Sequence, residues 1–227
     1  TFIPHSLYAG FMDHHLMFFV RISQTAVLLP FIIGLLRRKQ LNREQRLLML
    51  LICISFISEI AAFVLDNYLS LNNLVVYNFY NILWFVLLML IYRPVFNYYF
   101  SSYVPYLLIL GYTAFAVSNM LFFQPLSTFN SNSIGLSLSV FMALSLLFFH
   151  KDLTSSVNLT VKNRPMLWLN TGIFLYSSGT LLLFLFINPM IESGSGILPL
   201  VWSLNVFLNV LLNGFYAMAL WIKAKEE

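Results

Sequence analysis

Seven long apolar runs, each close to the length of a membrane-spanning helix, dominate this sequence. A helix needs about 20 mainly apolar residues to cross the roughly 30 Å of hydrocarbon in a bilayer. Of the 227 residues, 60% are hydrophobic and only 9% are charged, whereas a soluble domain carries about 25% charged residues. We therefore expect an all-α integral membrane protein, a single domain over residues 1–227 built as a bundle of seven transmembrane helices. The predicted spans are residues 16–36, 47–67, 74–92, 104–123, 133–149, 166–187 and 198–222.

Lysine and arginine residues occur in every second loop of this arrangement. They follow the first, third, fifth and seventh runs, and are absent from the N-terminal segment and from the loops after the second, fourth and sixth runs. Because basic loops stay in the cytoplasm, the pattern predicts an N-terminus outside and a C-terminus in the cytoplasm. An odd number of spans agrees with this, because it places the two termini on opposite sides of the membrane. Basic loops of this kind contact anionic membrane lipids, so we expect no nucleic-acid partner.

Arg21 and Glu59 are charged residues that lie more than one helical turn inside the predicted first and second spans. A charge in hydrocarbon is costly unless it is paired or reaches water. The two residues lie at similar depths in neighbouring helices, so a structural Arg21–Glu59 ion pair is one interpretation. The second is that one or both face a polar cavity and contact a ligand or a proton. The third is that Arg21 extends its side chain to the outer headgroups.

The seventh run carries Asn205, Asn209 and Asn213 at a spacing of four residues, which places them on one helix face. Amides in a membrane need partners, so this stripe must face the bundle interior, either as a contact between helices or as a pocket wall. Other polar residues fall at matching depths in the outer half. We predict an outward-facing ligand-binding cavity that opens among them. Its predicted residues are Arg21, Gln24, Glu59, Asn78, Asn81, Asn119, Ser177 and Asn205, with Asn209 deeper.

Several enzyme and cofactor classes lack their required residues. The seventh run has no lysine in its middle to carry retinal, and no histidine lies deep in any run to hold haem or zinc. Serine and carboxyl groups are present, but the apolar interior has no histidine or lysine that could act as the base for a nucleophile. We therefore expect a protein that is not an enzyme and has no catalytic residues, metal or cofactor.

Four stretches carry a resemblance to a known family. They are Ser58-Glu59, Asn72-Asn73 followed by Tyr77-Asn78-Phe79-Tyr80, the run Tyr176 to Leu185, and Trp202 to Trp221 with its spaced asparagines. Together they resemble small seven-helix inner-membrane proteins common in Bacteroidetes, which occur alone or as the membrane input module of sensor histidine kinases. Leu83-Trp84 stands where that family would carry an acidic residue before an aromatic one. The resemblance implies a multi-pass protein of the bacterial inner membrane with a role in signal transduction.

Three functions fit these expectations. The first is a sensory or signal-input module in which a small-molecule ligand binds the cavity and a cytoplasmic protein partner, such as a histidine kinase, receives the signal. The second is a non-catalytic accessory subunit of a larger membrane protein complex. The third is a small-solute transporter, indicated only by Asn209 and Glu59.

Overall fold

The computed structural model describes residues 22–154, 164–193 and 196–223, and all regular structure in these ranges is helical. Six of the described helices are long and apolar enough to cross a membrane, and Ile22–Arg37 is a shorter apolar helix. The chain is thus a multi-pass membrane protein. Its helices are α1 (Leu28–Arg37), α2 (Arg43–Asn67), α3 (Leu74–Ile91), α4 (Arg93–Tyr99), α5 (Val104–Phe122), α6 (Ser131–Thr154), α7 (Pro165–Glu192) and α8 (Leu198–Trp221).

The predicted spans agree with these helices to within a few residues at most boundaries. The predicted span 16–36 is described only from residue 22. Helix α2 begins at Arg43, earlier than the predicted residue 47, because Asn42 and Gln45 form a capping box. The Asn42 side chain accepts a hydrogen bond from the Gln45 backbone at 2.8 Å, and the Gln45 side chain accepts one from the Asn42 backbone at 3.0 Å. This pairing satisfies two amide donors that a helix start otherwise leaves free.

Pro30 interrupts the first helix, as its position predicts. Residues 22–25 form one helical turn, residues 26–27 form a turn, and α1 follows. Proline has no backbone N–H, so the carbonyl of Ala26 cannot receive the usual bond from residue 30. It instead accepts a longer bond of 3.3 Å from the Leu29 amide.

Helix α4 is a short element that the hydropathy pattern does not predict. Tyr92 ends α3, and Pro94 in the first turn of α4 is tolerated because those amides have no helical partner. Lys151 of α6 donates to the Pro94 carbonyl at 3.1 Å, and Tyr99 bonds to the His150 ring nitrogen at 2.6 Å. These contacts fasten α4 to the end of α6.

The long helices form a ring that α8 closes. Helix α8 packs against α7, α1 and α2, while α3 packs against α2 and α5, and α6 packs against α7. Close approach between α7 and α8 depends on glycines, since a Cβ at Gly172 would lie 2.5 Å from the Phe215 Cβ. Aromatic contacts fill the centre. Phe85 of α3 stacks on Tyr112 of α5 at a centroid separation of 3.7 Å.

Arg37, Arg93, Lys151 and Lys223 lie at one end of the bundle, which we name the basic end; we name the other end the opposite end. The side-chain nitrogen of Gln45 donates to the Ala219 and Ile222 carbonyls, both at 2.8 Å. Arg37 donates to the Trp221 carbonyl and lies over the Trp221 ring, 5.4 Å from its centroid. The end of α8 is therefore held by the residues that connect α1 to α2.

Candidate functional site

A polar cavity lies inside the ring, between α1, α2, α3, α6, α7 and α8. Its volume is about 60 Å³, enough for several water molecules or a small solute, since one water needs roughly 10–15 Å³ of such space. Eleven polar side chains line it together with a few apolar ones. They are Ser23, Ser55, Glu59, Tyr77, Tyr80, Asn81, Ser137, Tyr176, Asn209, Asn213 and Tyr216.

The wall between α2 and α3 pairs tyrosine hydroxyls with side chains of α2. Tyr77 donates a hydrogen bond to a Glu59 carboxylate oxygen at 3.2 Å. One turn along, the Tyr80 and Ser55 hydroxyls bond to each other at 3.0 Å. The residues in each helix are three or four positions apart and therefore share a face. This wall supplies the cavity with a carboxylate and two phenols.

The wall between α3 and α6 is organised by Asn81. Its amide nitrogen donates to the Tyr112 hydroxyl of α5 at 2.6 Å, and that hydroxyl donates to the Ser133 carbonyl at 3.2 Å. The Ser137 hydroxyl lies 3.5 Å from the Asn81 carbonyl oxygen and 2.8 Å from the Ile134 carbonyl. Asn81 thus joins three helices and also contributes to the cavity surface.

The wall formed by α8 consists of amides and one phenol. Asn213 donates to the Asn209 side-chain oxygen at 2.7 Å and to the Asn209 backbone carbonyl at 3.0 Å. Tyr216 follows on the same face beside the Trp84 side chain, and its hydroxyl makes no hydrogen bond of normal geometry within the described residues. Asn209 and Asn213 of the stripe are therefore a pocket wall, as one of the two interpretations predicted, and the bonds between them lie within α8.

Three of the nine predicted site residues line the cavity, namely Glu59, Asn81 and Asn209. Gln24 is half-buried in the turn before α1, next to Ser23, which lines the cavity instead. Arg21 lies outside the described residues, as does the predicted Arg21–Glu59 ion pair. The cavity also extends beyond the predicted outer half, since Tyr216 lies only five residues before the end of α8 at the basic end.

Asn119 belongs to a different place, an amide network that holds the loop between α5 and α6. Its side-chain nitrogen donates to Gln124 at 3.0 Å and to Asn130 at 2.7 Å, and its oxygen accepts from Asn132 at 3.1 Å. Asn78 donates to the Leu126 carbonyl at 3.2 Å in the same loop. Both residues therefore anchor the loop at the opposite end, away from the cavity.

Ser177 and Asn205 are buried near the cavity but do not line it. Ser177 is 0% exposed and Asn205 is 1% exposed. Within the described residues, the Ser177 hydroxyl and both amide atoms of Asn205 have no hydrogen-bond partner. The depth of each residue along its helix correctly predicted a buried polar group at both positions. Depth alone does not predict whether that group faces the cavity.

The prediction missed the hydroxyl groups of the cavity. Tyr176 lies well inside its helix, away from the membrane interfaces where tyrosine is common. Tyr216 also stands three residues after Asn213, on the face of the asparagine stripe. This spacing is the feature of the sequence that could have predicted Tyr216 as a cavity residue. The resulting surface of phenols, amides, small hydroxyls and one carboxyl can bind a polar molecule through several hydrogen bonds.

Comparison with known proteins identifies no relative. No protein-family model, no curated protein and no solved structure matches this chain. What the chain does must therefore be inferred from its own geometry.

Proposed function

We propose that this protein is a signal-input module of the bacterial inner membrane that binds a small polar ligand in the cavity. In this proposal the N-terminus is outside and the C-terminus is cytoplasmic, as the basic loops indicate. The ligand reaches the cavity from the outer side. A cytoplasmic partner, such as a histidine kinase, receives the signal at the basic end.

The observation that carries this proposal is the course of α8. Asn209 and Asn213 near its middle line the cavity, and its last residues lie at the basic end. One continuous helix of 24 residues therefore connects the cavity to the basic end. A helix of that length is about 36 Å long, so a small tilt at the cavity moves its end appreciably.

The contacts at the end of α8 support the same interpretation. Gln45 takes part in the capping box at the start of α2, and its side-chain nitrogen donates to carbonyls at the end of α8. Helix α2 carries Ser55 and Glu59 on the cavity wall. A ligand that changes the spacing of α2 and α8 would therefore act on two helices whose ends are joined by one buried amide.

The proposal is tested by screening small polar compounds for thermal stabilisation of the protein in lipid nanodiscs. A true ligand should stabilise the wild type and lose most of that effect in Asn209→Leu. The matched control is Phe207→Leu, because Phe207 is on the same helix but is 58% exposed on its outer surface. Spin labels at Lys151→Cys and Lys223→Cys should then report a distance change when the ligand is added.

Other outcomes favour the other functions. Compounds that stabilise wild type and Asn209→Leu equally would contradict binding in the cavity. A stoichiometric partner chain that co-purifies from native membranes, with no compound effect, would favour an accessory subunit. Solute flux into proteoliposomes that is abolished by Glu59→Gln would favour a transporter.

A further inference from the structure

Buried polar atoms without partners are concentrated along α6, α7 and α8. Two such atoms lie elsewhere, in Arg93 at the basic end and in Tyr216 in the cavity. The other buried atoms that make no interaction within the described residues belong to these three helices and to the residue that precedes α6. They are the amide nitrogen of Asn130, the hydroxyls of Ser133 and Ser177, the indole nitrogen of Trp202 and both amide atoms of Asn205. None is more than 1% exposed. In a membrane, water from the surrounding solvent cannot satisfy such groups.

Three of these groups, in Asn130, Trp202 and Asn205, follow a line from the opposite end to the cavity. Trp202 and Asn205 are one turn apart on α8, and the same face continues to Asn209 at the cavity. Phe129 lies edge-on to Trp202 with centroids 6.3 Å apart, which brings the neighbouring Asn130 towards the start of this line. The line therefore runs from the loop before α6, along α8, into the polar cavity.

Ser177 lies on the α7 side of the same line. Gly179 of α7 lies against Leu208, and Gly172 lies against Phe215, which fixes the antiparallel register of the two helices. In this register Ser177 is level with the part of α8 between Asn205 and Asn213. The Ser177 side chain lies about 140° around α7 from Gly172, on the side of α6, so the unpartnered groups of this line lie on both the α6 side and the α8 side of α7.

Helix α7 contains a point at which this region can bend. Pro189 lies inside the helix and has no amide to bond with the carbonyl of Leu185. Proline inside a helix is a common cause of kinks. The last three residues of α7 after Pro189, at the entrance of this line, are therefore less firmly held than the part below, where Gly172 and Gly179 pack closely on α8.

We infer that this line is the closed form of a hydrated access path by which small polar solutes enter the cavity from the opposite end. Packed shut, the path leaves its amides and hydroxyls without hydrogen bonds, a state that costs free energy. Slight separation of α6, α7 and α8 along this line would admit water and satisfy them. This inference rests on the proposed function, because the path leads to the proposed ligand site.

Cysteine accessibility tests the path in the reconstituted protein. Cys53 is first replaced by alanine, and single cysteines are then exposed in nanodiscs to 2-aminoethyl methanethiosulfonate, which reacts with thiols in contact with water. We expect Asn205→Cys to be modified at least tenfold faster than Leu204→Cys. Leu204 has the same depth but is 44% exposed on the outer surface of the bundle, where lipid excludes the reagent. Asn209→Cys reports on the cavity itself.

A second pair of cysteine variants controls for misfolding. Ser177→Cys and Ser178→Cys are nearly isosteric changes in adjacent residues, and only Ser177 is fully buried. Faster modification of Ser177→Cys supports the path. Unreactive Asn205→Cys and Ser177→Cys with a reactive Asn209→Cys would overturn the path but leave the cavity. If Asn209→Cys is also unreactive, both the path and the proposed ligand site are overturned.

Discussion

Two buried asparagines in this bundle differ in how their amide groups are satisfied. Asn119 at the opposite end is 2% exposed and makes three side-chain hydrogen bonds, with Gln124, Asn130 and Asn132. Asn205 in α8 is 1% exposed, yet neither of its amide atoms has a partner among the described residues. Burial is the same at both positions. The hydrogen bonds are what distinguish them.

The difference separates a structural amide from a candidate functional one. The bonds of Asn119 fix the loop between α5 and α6, and no further group is needed there. Asn205 can become satisfied only if something else enters, because buried polar groups are almost always hydrogen-bonded. The following changes test this distinction by comparing amides that have partners with an amide that has none.

Asn119→Leu should have the largest effect on stability. The change removes three hydrogen bonds and leaves partner groups in Gln124, Asn130 and Asn132 unsatisfied, which should lower the free energy of unfolding by about 3 kcal/mol. Unfolding in mixed detergent micelles measures it. Asn67→Ala is the control, since Asn67 is exposed and bonds only within its own helix. Equal stability of the two variants would contradict a structural role for the network.

Gly172→Ala should have the next largest effect and tests how firmly α7 is held below the proposed path. Its new Cβ would lie 2.5 Å from the Phe215 Cβ, which cannot move without the backbone, so we expect a loss of about 2 kcal/mol. Gly179→Ala should cost less, because the atom it meets at 2.7 Å is the end of the flexible Leu208 side chain. Gly111→Ala meets nothing within 4 Å and is the control. In thermal unfolding we expect the largest loss of stability for Gly172→Ala, a smaller loss for Gly179→Ala and the smallest for Gly111→Ala.

Gln45→Glu tests the connection between α2 and α8. Glutamate can still accept from the Asn42 amide, but an ionised carboxylate cannot donate to the Ala219 and Ile222 carbonyls and is repelled by them. We expect the last turn of α8 to lose about 1–2 kcal/mol of local stability, which is about 5- to 30-fold faster amide hydrogen exchange. Asn42→Ala is the matched control. It should loosen the start of α2 and leave the end of α8 protected.

The sequence predicted the membrane-spanning helices well because their lengths follow from the thickness of the bilayer. The start of α2 at Arg43 was missed because hydropathy does not register a capping box. Helix α4 was missed because its seven residues after Tyr92 are too few to carry a detectable apolar period. Local hydrogen bonding decides both features, and hydropathy averages it out.

The candidate site was only partly predictable. Depth along a helix placed Glu59, Asn81 and Asn209 near one another, and all three line the cavity. Depth placed Asn119 there as well, but α5 contributes no residue to the cavity, and Asn119 bonds with the loop that follows α5. Predicting which helices surround the cavity requires the ring order, which depends on long-range contacts such as those of α8 with α1 and α2.

Asn205→Leu should have the smallest effect on stability and the opposite sign. Leucine has a similar volume and no polar atoms, so it removes an unsatisfied amide from the closed path and should raise the free energy of unfolding by about 1 kcal/mol. Asn213→Leu is the control on the same face. It loses a bonded pair with Asn209 and should lower stability by about 0.6 kcal/mol. If Asn205→Leu instead destabilises the protein, the amide has a partner in the resting state, and the path would be permanently occupied by water or solute. Unfolding of both variants under the same conditions therefore decides whether the Asn205 amide lacks a hydrogen-bond partner in the resting protein.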